Sequence, residues 1–282
     1  MTVAAPSGGA SDLPVPDADV LARIDTTVAH PARRYNYWLG GKDNFAADRA
    51  SGDRIAQRFP AVPAAARANR AFAGRAVRYL ARRGVRQFLD IGTGLPAPCN
   101  THEVAQRVAR VCRVVYVDND PIVLAHARAL LTGATPDTVA YLDADLRDPD
   151  SILRDPVLHQ TLDLTRPIAV LLIAVLHFIA HPDPRGIVAR LRRALVPGSF
   201  VVISHGTADF LDEQDRAALP GLTARDAAGF YPRSRDELRT LLDGLDLVKP
   251  GLVSVRDWRN PDDPGPCSAE EIGVYGAVGR IP

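Results

Sequence analysis

Residues 88–96 read FLDIGTGLP, a short apolar run that closes on an acid and then breaks into two glycines and a proline. The run predicts a buried strand over 87–89, and Gly92 and Gly94 free the backbone for a tight turn at its carboxyl end. Downstream, short apolar runs alternate with helical patterns, the signature of a parallel sheet covered on both faces. Strands are expected at 87–89, 114–117, 139–141, 168–173 and 200–204, with helices near 101–109, 121–131, 149–159 and 185–195 between them. A helix at 234–243 precedes two late strands, about 246–249 and 272–278. The expected fold class is α/β, a doubly wound sheet of seven strands, mostly parallel, whose last strand returns antiparallel at the edge.

Upstream of the turn, AAARANRAFAGRAVRYLARRG predicts a helix from Ala64 to Arg83, with Phe72, Ala76, Tyr79 and Leu80 at helical spacing and Gly84 as its stop. Between Val20 and Pro60 short helical pieces alternate with breakers. Residues 1–19 hold too little apolar surface to order themselves and are expected to form a disordered leader. The chain thus divides into a leader (1–19), an N-terminal helical cap (20–84) and a sheet domain (85–282).

Composition narrows the function classes. With 34 basic and 33 acidic residues among 282, the chain has no global field to draw it onto nucleic acid or an anionic membrane. Cys99, Cys112 and Cys267 are odd in number and far apart, which suggests neither a disulfide framework nor a zinc site and fits a reducing cytoplasm. The longest apolar stretch, IAVLLIAVL at 168–176, is too short to span a bilayer. No histidine or cysteine cluster has metal-ligand spacing, so no metal is expected. The expected protein is cytoplasmic, a monomer or homodimer, with a small molecule rather than nucleic acid or membrane as its partner.

In a doubly wound sheet the ligand lies at the carboxyl ends of the central strands. There, Gly92, Gly94 and Ala97 match the dinucleotide pattern GxGxxG/A, with Asp118 about 26 residues beyond Gly92. Two details turn the reading away from NAD. A pyrophosphate needs a helix N-terminus directly after the glycines, but Pro96 and Pro98 delay the helix to an N-cap at Asn100 with Glu103 as its capping-box partner. Asp90 at the strand end would repel a pyrophosphate and attract an ammonium or sulfonium group. S-adenosylmethionine (SAM) carries both. In VVYVDNDPIVLAHA, Asp118 ends the second strand, where it can accept from both hydroxyls of a ribose, and Asp120–Pro121 starts the next helix. In YLDADLRDP, Asp145 is placed to accept from an adenine amino group beside the backbone NH of Leu146. Singly each acid reads as a solvated loop carboxylate; three of them ending three successive strands read as a site.

These residues, with PARRYNYWLGGKDNFAADR, RANRAF, FLDIGTGLPAPCNTHEVAQ, FYPRSRDEL and YGAVGR, resemble the class I SAM-dependent methyltransferases. Within them the chain is most similar to the actinobacterial S-adenosyl methyltransferase family, first defined as a domain of unknown function. The resemblance runs over most of residues 30–280 and implies a Rossmann-like fold, SAM as cofactor and a lid over it. It implies Asp90, Gly92 and Gly94 as the methionine-side loop, Asp118 at the ribose and Asp145 with Leu146 at the adenine, with Asn119 also among the cofactor-binding residues. Pro96 stands where that loop usually has its third glycine.

The acceptor side is less defined. His177 and His205, after the fourth and fifth strands, are the candidates for a general base, against an alternative in which each is a hydrogen-bonded residue shaping the pocket. Asn69 and Arg70 fall near the end of the helix that should overhang the cofactor. In YNYWLGGKDNF (35–45), Tyr35 and Tyr37 offer a flat wall and hydroxyls, Lys42 a cation for a carboxylate, and Asn44 an orienting amide. The alternative for Tyr37, Trp38 and Phe45 is that they fasten the cap to the sheet domain. The favoured reading is a methyltransferase acting on a small-molecule acceptor. Its rivals are a SAM-binding sensor or scaffold without turnover and, last, an NAD-dependent oxidoreductase.

Overall fold

A computed structural model describes residues 24–130, 137–180, 184–260 and 266–282, leaving aside the side chains of 127–130. The expected leader 1–19, and the first four residues of the expected cap, lie outside the described residues.

The sheet begins with β1 (Gln87–Ile91), buried along its whole length. Parallel to it run β2 (Arg113–Asp118), β3 (Val139–Asp143), β4 (Ala169–Ile173) and β5 (Phe200–Gly206). The register alternates as a pleated strand requires. Leu89, Ile91, Val115, Val117, Val170, Leu172, Val201 and Ile203 build a core on one face. Their neighbours Phe88, Val114, Tyr116, Ala169, Leu171 and Val202 build a second core on the other. A one-residue slip of any strand would exchange these two sets, so burial on both faces pins the register.

The expected helices are present with shifted ends. Upstream of the sheet lie α1 (Pro31–Trp38), α2 (Ala46–Arg58) and α3 (Val62–Arg82), the last stopping at Gly84, whose φ is +93°. Between strands come α4 (Thr101–Val108) and α5 (Pro121–Leu130). Asp120 starts α5 by accepting from Ile122 N at 2.9 Å, and Glu103 closes back on Asn100 N at 3.3 Å ahead of α4. The single helix expected over 149–159 is two, α6 (Pro149–Arg154) and α7 (Pro156–Thr161). Pro156 cannot continue α6, and Asp155 caps the second piece through Val157 N at 2.7 Å. After β4 a single 3-10 turn, Leu176–Phe178, leads toward α8 (Pro184–Arg193).

The C-terminal third departs most from expectation. Two helices absent from the sequence reading, α9 (Glu213–Thr223) and α11 (Ala269–Ile272), flank α10 (Arg235–Leu241). Among the described residues the sheet has eight strands rather than seven, the extra one being the two-residue β7 (Val253–Ser254). β6 is only Asp246–Leu247, and β8 spans Val274–Arg280 rather than 272–278, because Ile272 ends α11 and Gly273 turns the chain at φ +56°. The antiparallel strand is not at the edge. The order is β3-β2-β1-β4-β5-β8-β6, so β8 is inserted between β5 and β6 and pairs antiparallel with both. β7 pairs with the same strand, which leaves the Rossmann-like class intact and relocates only the return.

Candidate active site

The loop after β1 is nailed to the end of β2. Gly92 N and Thr93 N donate to Val117 O at 2.8 and 3.2 Å, and Gly94 N donates to Asp118 Oδ2 at 2.8 Å. Gly92 has φ +73°, and a Cβ there would stand 2.4 Å from Val175 Cγ2, so only glycine lets this loop pack against the segment after β4. Leu95 then drops between Ile122 and Val123 of α5, and the loop reaches α4 only after Pro96 and Pro98.

Over the carboxyl ends of β1–β5 lies a cavity of about 410 Å³. Asp90, Gly92, Gly94, Asp118, Asn119, Asp145 and Leu146 all line it, so every residue expected at the cofactor meets in one place. Asp90 is buried and accepts from Thr101 Oγ1 at 2.6 Å. Burial pushes its carboxyl up to about 6, opposed by that hydroxyl and by Arg70. Burial also raises Asp118, opposed by the backbone NH groups of Asp120 and Gly94. Asp145 behaves oppositely: hydrogen bonds from Arg147 hold it at about 2, and Asn119 Nδ2 donates to it at 3.0 Å.

Opposite these acids the cavity is roofed by α1 and α3. Tyr35 and Trp38, one turn apart on α1, face inward with Asn69 and Arg70 of α3. Tyr35 donates to Ala66 O at 2.8 Å and accepts from Asn69 Nδ2 at 2.9 Å, while desolvation lifts its hydroxyl to about 12. Arg70 reaches Asn100 Oδ1 at 3.0 Å. Asn69 Oδ1 and Arg70 Nε are buried and have no partner among the described residues.

Three residues of YNYWLGGKDNF expected at the site, Tyr37, Lys42 and Asn44, do not reach the cavity. Tyr37 points to the other side of α1 and donates to Asp53 at 2.7 Å at the surface. Lys42 is exposed beyond the Gly40–Gly41 turn. Asn44 is buried, but its amide is consumed by Asn36 Oδ1 and Gly41 O, both at 2.9 Å, joining α1 to α2. Composition marks this stretch as polar and aromatic; it does not say which face of α1 turns inward.

The two histidines separate. His205 is fully buried off the cavity, bonded through Nδ1 to Gly206 O at 2.7 Å and through Nε2 to Arg233 at 2.9 Å. His177 lines the cavity, and its Nδ1 accepts from Gly206 N at 3.1 Å. Burial, His205 and Arg233 pull its pKa well below the ordinary histidine value. With Nδ1 an acceptor in a neutral ring, the proton sits on Nε2.

Several lining residues escaped the sequence reading. Arg34 is buried in an ion pair with Asp226, beside Ser51. Arg147 holds Asp145 in place two positions on, and Thr207, Phe178 and Phe230 close the β4–β5 side. Only Arg147 carried a local signal, as a basic residue directly beyond the third acid.

The chemistry of this donor set fits SAM: bare glycine backbone beside two buried carboxyls that gain from a cation or hydroxyl donors, and a third acid at the end of the third strand. The fold and site therefore define a SAM-dependent methyltransferase of the Rossmann-like class. The chain belongs to the S-adenosyl methyltransferase family, whose model matches residues 17–282. Its fold is that of a DUF574 family protein from Streptomyces avermitilis, 46% identical over 92% of this chain and 99% of the other, with a TM-score of 0.87. A candidate methyltransferase from Thermobifida fusca is 37% identical over 94% and 98% of the two chains, with a TM-score of 0.84. No curated protein matches the sequence. Among the described residues no helix is long and apolar enough to cross a membrane.

Proposed function

We propose that this methyltransferase acts in the cytoplasm on a small molecule enclosed in the same cavity as its cofactor, without nucleic acid or membrane as partner. The observation that carries this reading is the single roofed cavity joining the ends of β1–β3 to those of β4 and β5. In it Asp90 takes the methionine ammonium, Asp118 the ribose hydroxyls, and Asn119, Asp145 and Leu146 the adenine. Tyr35, Asn69 and Arg70 close the methionine end, Arg70 presenting its guanidinium to the carboxylate. Helices α1–α3 serve as the lid that excludes water.

Bound there, SAM supplies a methyl group activated by the sulfonium charge. What remains for the protein is alignment, which alone removes much of the barrier to a displacement. His177 contributes as a donor: with Nδ1 already accepting from Gly206 N, its Nε2–H can orient an oxygen or nitrogen but cannot remove its proton. His205, held by Arg233, stays a structural neighbour.

Calorimetric titration tests the reading. SAM should bind, NAD should not, and Asp118→Asn should weaken SAM at least tenfold by removing one charged acceptor from the ribose. Tight NAD binding with no response to SAM would overturn it.

A further inference from the structure

Beyond the cofactor-facing acids the cavity extends over β4 and β5, and its walls change character. Neighbouring strands lie about 4.8 Å apart, so these two strand ends sit on the order of 5–10 Å to the side of β1. Here the lining is aromatic. His177 and Phe178 stand with ring centroids 4.5 Å apart at 78°, His177 and Phe230 5.0 Å apart at 56°, and Phe178 and Phe230 6.5 Å apart at 64°. Trp38 and Phe59 line the same cavity from the roof.

The corner made by these three rings is held from behind. Arg233, buried, donates to Leu176 O at 3.0 Å and to Ile179 O at 2.7 Å, bracketing the 3-10 turn that carries His177 and Phe178. Tyr231 N donates to His177 O at 2.7 Å. Phe230 lies against Gly206 so closely that a Cβ there would come within 2.6 Å of its ring. A further lining ring, Phe210, is 42% exposed, so an apolar surface also reaches solvent beside this part of the cavity.

Charge is spoken for on this side. Among the described residues the guanidinium groups of the lining are committed: Arg34 to Asp226, Arg147 to Asp145, and Arg70, which reaches Asn100, to the cofactor carboxylate in the reading above. Glu270 and Glu271 line the cavity from exposed positions. An anionic ligand would share the cavity with two carboxylates and find its cations already committed, at the cost of its own desolvation. An aromatic ring meets edge-to-face partners, and one hydroxyl or amine meets the His177 Nε2–H.

Resting on the methyl-transfer reading above, we propose that the acceptor site takes an aromatic small molecule that carries no negative charge, seated ring-first against His177, Phe178 and Phe230. The full-length protein, loaded with S-adenosylhomocysteine, is titrated calorimetrically with 2-naphthol, 2-naphthoate and the saturated analogue decahydro-2-naphthol. 2-Naphthol should bind at least about tenfold more tightly than either of the others, from the lost charge cost in one comparison and the ring contacts in the other. Phe178→Leu and Phe230→Leu should each weaken 2-naphthol about three- to tenfold and leave S-adenosylhomocysteine affinity unchanged. Two variants guard against a folding defect in one. No binding of 2-naphthol to the loaded protein, or equal binding of 2-naphthoate or the decalin alcohol, would overturn the proposal. Failure of S-adenosylhomocysteine itself to bind would instead sink the methyl-transfer reading, and this proposal with it.

Discussion

Asp90 shows how one buried carboxyl can couple cofactor affinity to pH. Its folded value of about 6 lies above the ordinary 3.8, and burial is the largest cause. A carboxyl raised in this way costs stability once it is ionised. The cost is absent below the unfolded value, grows between about pH 4 and 6, and is complete above 6. Asp90→Asn should therefore stabilise the free protein at pH 8 by on the order of 2–3 kcal/mol and by little at pH 4, measured by urea unfolding at the two pH values. A bound ammonium has the reverse effect, since it favours the ionised form. SAM affinity should then fall as pH drops through about 6, toward tenfold per unit, and the Asn variant should show neither the affinity nor its pH dependence. A pH-independent affinity between 5 and 8 would remove Asp90 from the cofactor. The same residue explains why the acid reading was legible in sequence: a carboxylate two positions before a glycine turn is placed by the strand alone. Tyr37, Lys42 and Asn44 were not, because their direction depends on where α1 ends and how Gly40 and Gly41 turn it away.

At the scale of elements, the roof is tied down by one buried acid. Asp226, on the segment after α9, pairs with Arg34 of α1, accepts from Ser51 Oγ of α2 at 2.9 Å and lies 3.5 Å from Arg54. Ala227 N adds a bond to Ala29 O at 2.9 Å. The Arg34–Asp226 pair joins residues 192 positions apart, which no local pattern announces. Asp226→Asn keeps the shape but leaves the Arg34 guanidinium buried without its counter-charge. Breaking such a pair costs about 3–5 kcal/mol. The expected readout is a lower denaturation midpoint together with faster amide exchange in α1 and α2 than in β1–β5. Uniform loss of protection across the sheet would mean that the roof and the sheet open as one unit. By contrast α3 was readable because its Phe72, Ala76 and Leu80 face is set by helical period and buried against the sheet.

For the whole molecule, ligand and roof should stabilise each other, since the cavity is built from both. S-adenosylhomocysteine at about 100 times its Kd adds roughly 2.7 kcal/mol to the folded state. It should raise Tm and slow limited proteolysis between residues 24 and 60 most of all; protection confined to the sheet would argue against a lid. The strands β1–β5 and their doubly wound class were legible because fully buried strands are apolar runs separated by helical periods. The slot taken by β8 was not. VYGAVGR reads as a strand, yet nothing in those seven residues says that it threads between β5 and β6 rather than joining an edge.

That slot has a consequence for how the protein is made. β5 ends at Gly206, while its antiparallel neighbour begins at Val274, so on the ribosome one flank of the sheet waits for its partner. At about 5–20 residues per second the wait lasts several seconds. Throughout it, Val201, Val202 and Ile203 present a strand with unpaired amides and carbonyls, the kind of edge on which foreign chains add. Synthesis rate and chaperone supply over this stretch therefore bear on the yield of folded protein.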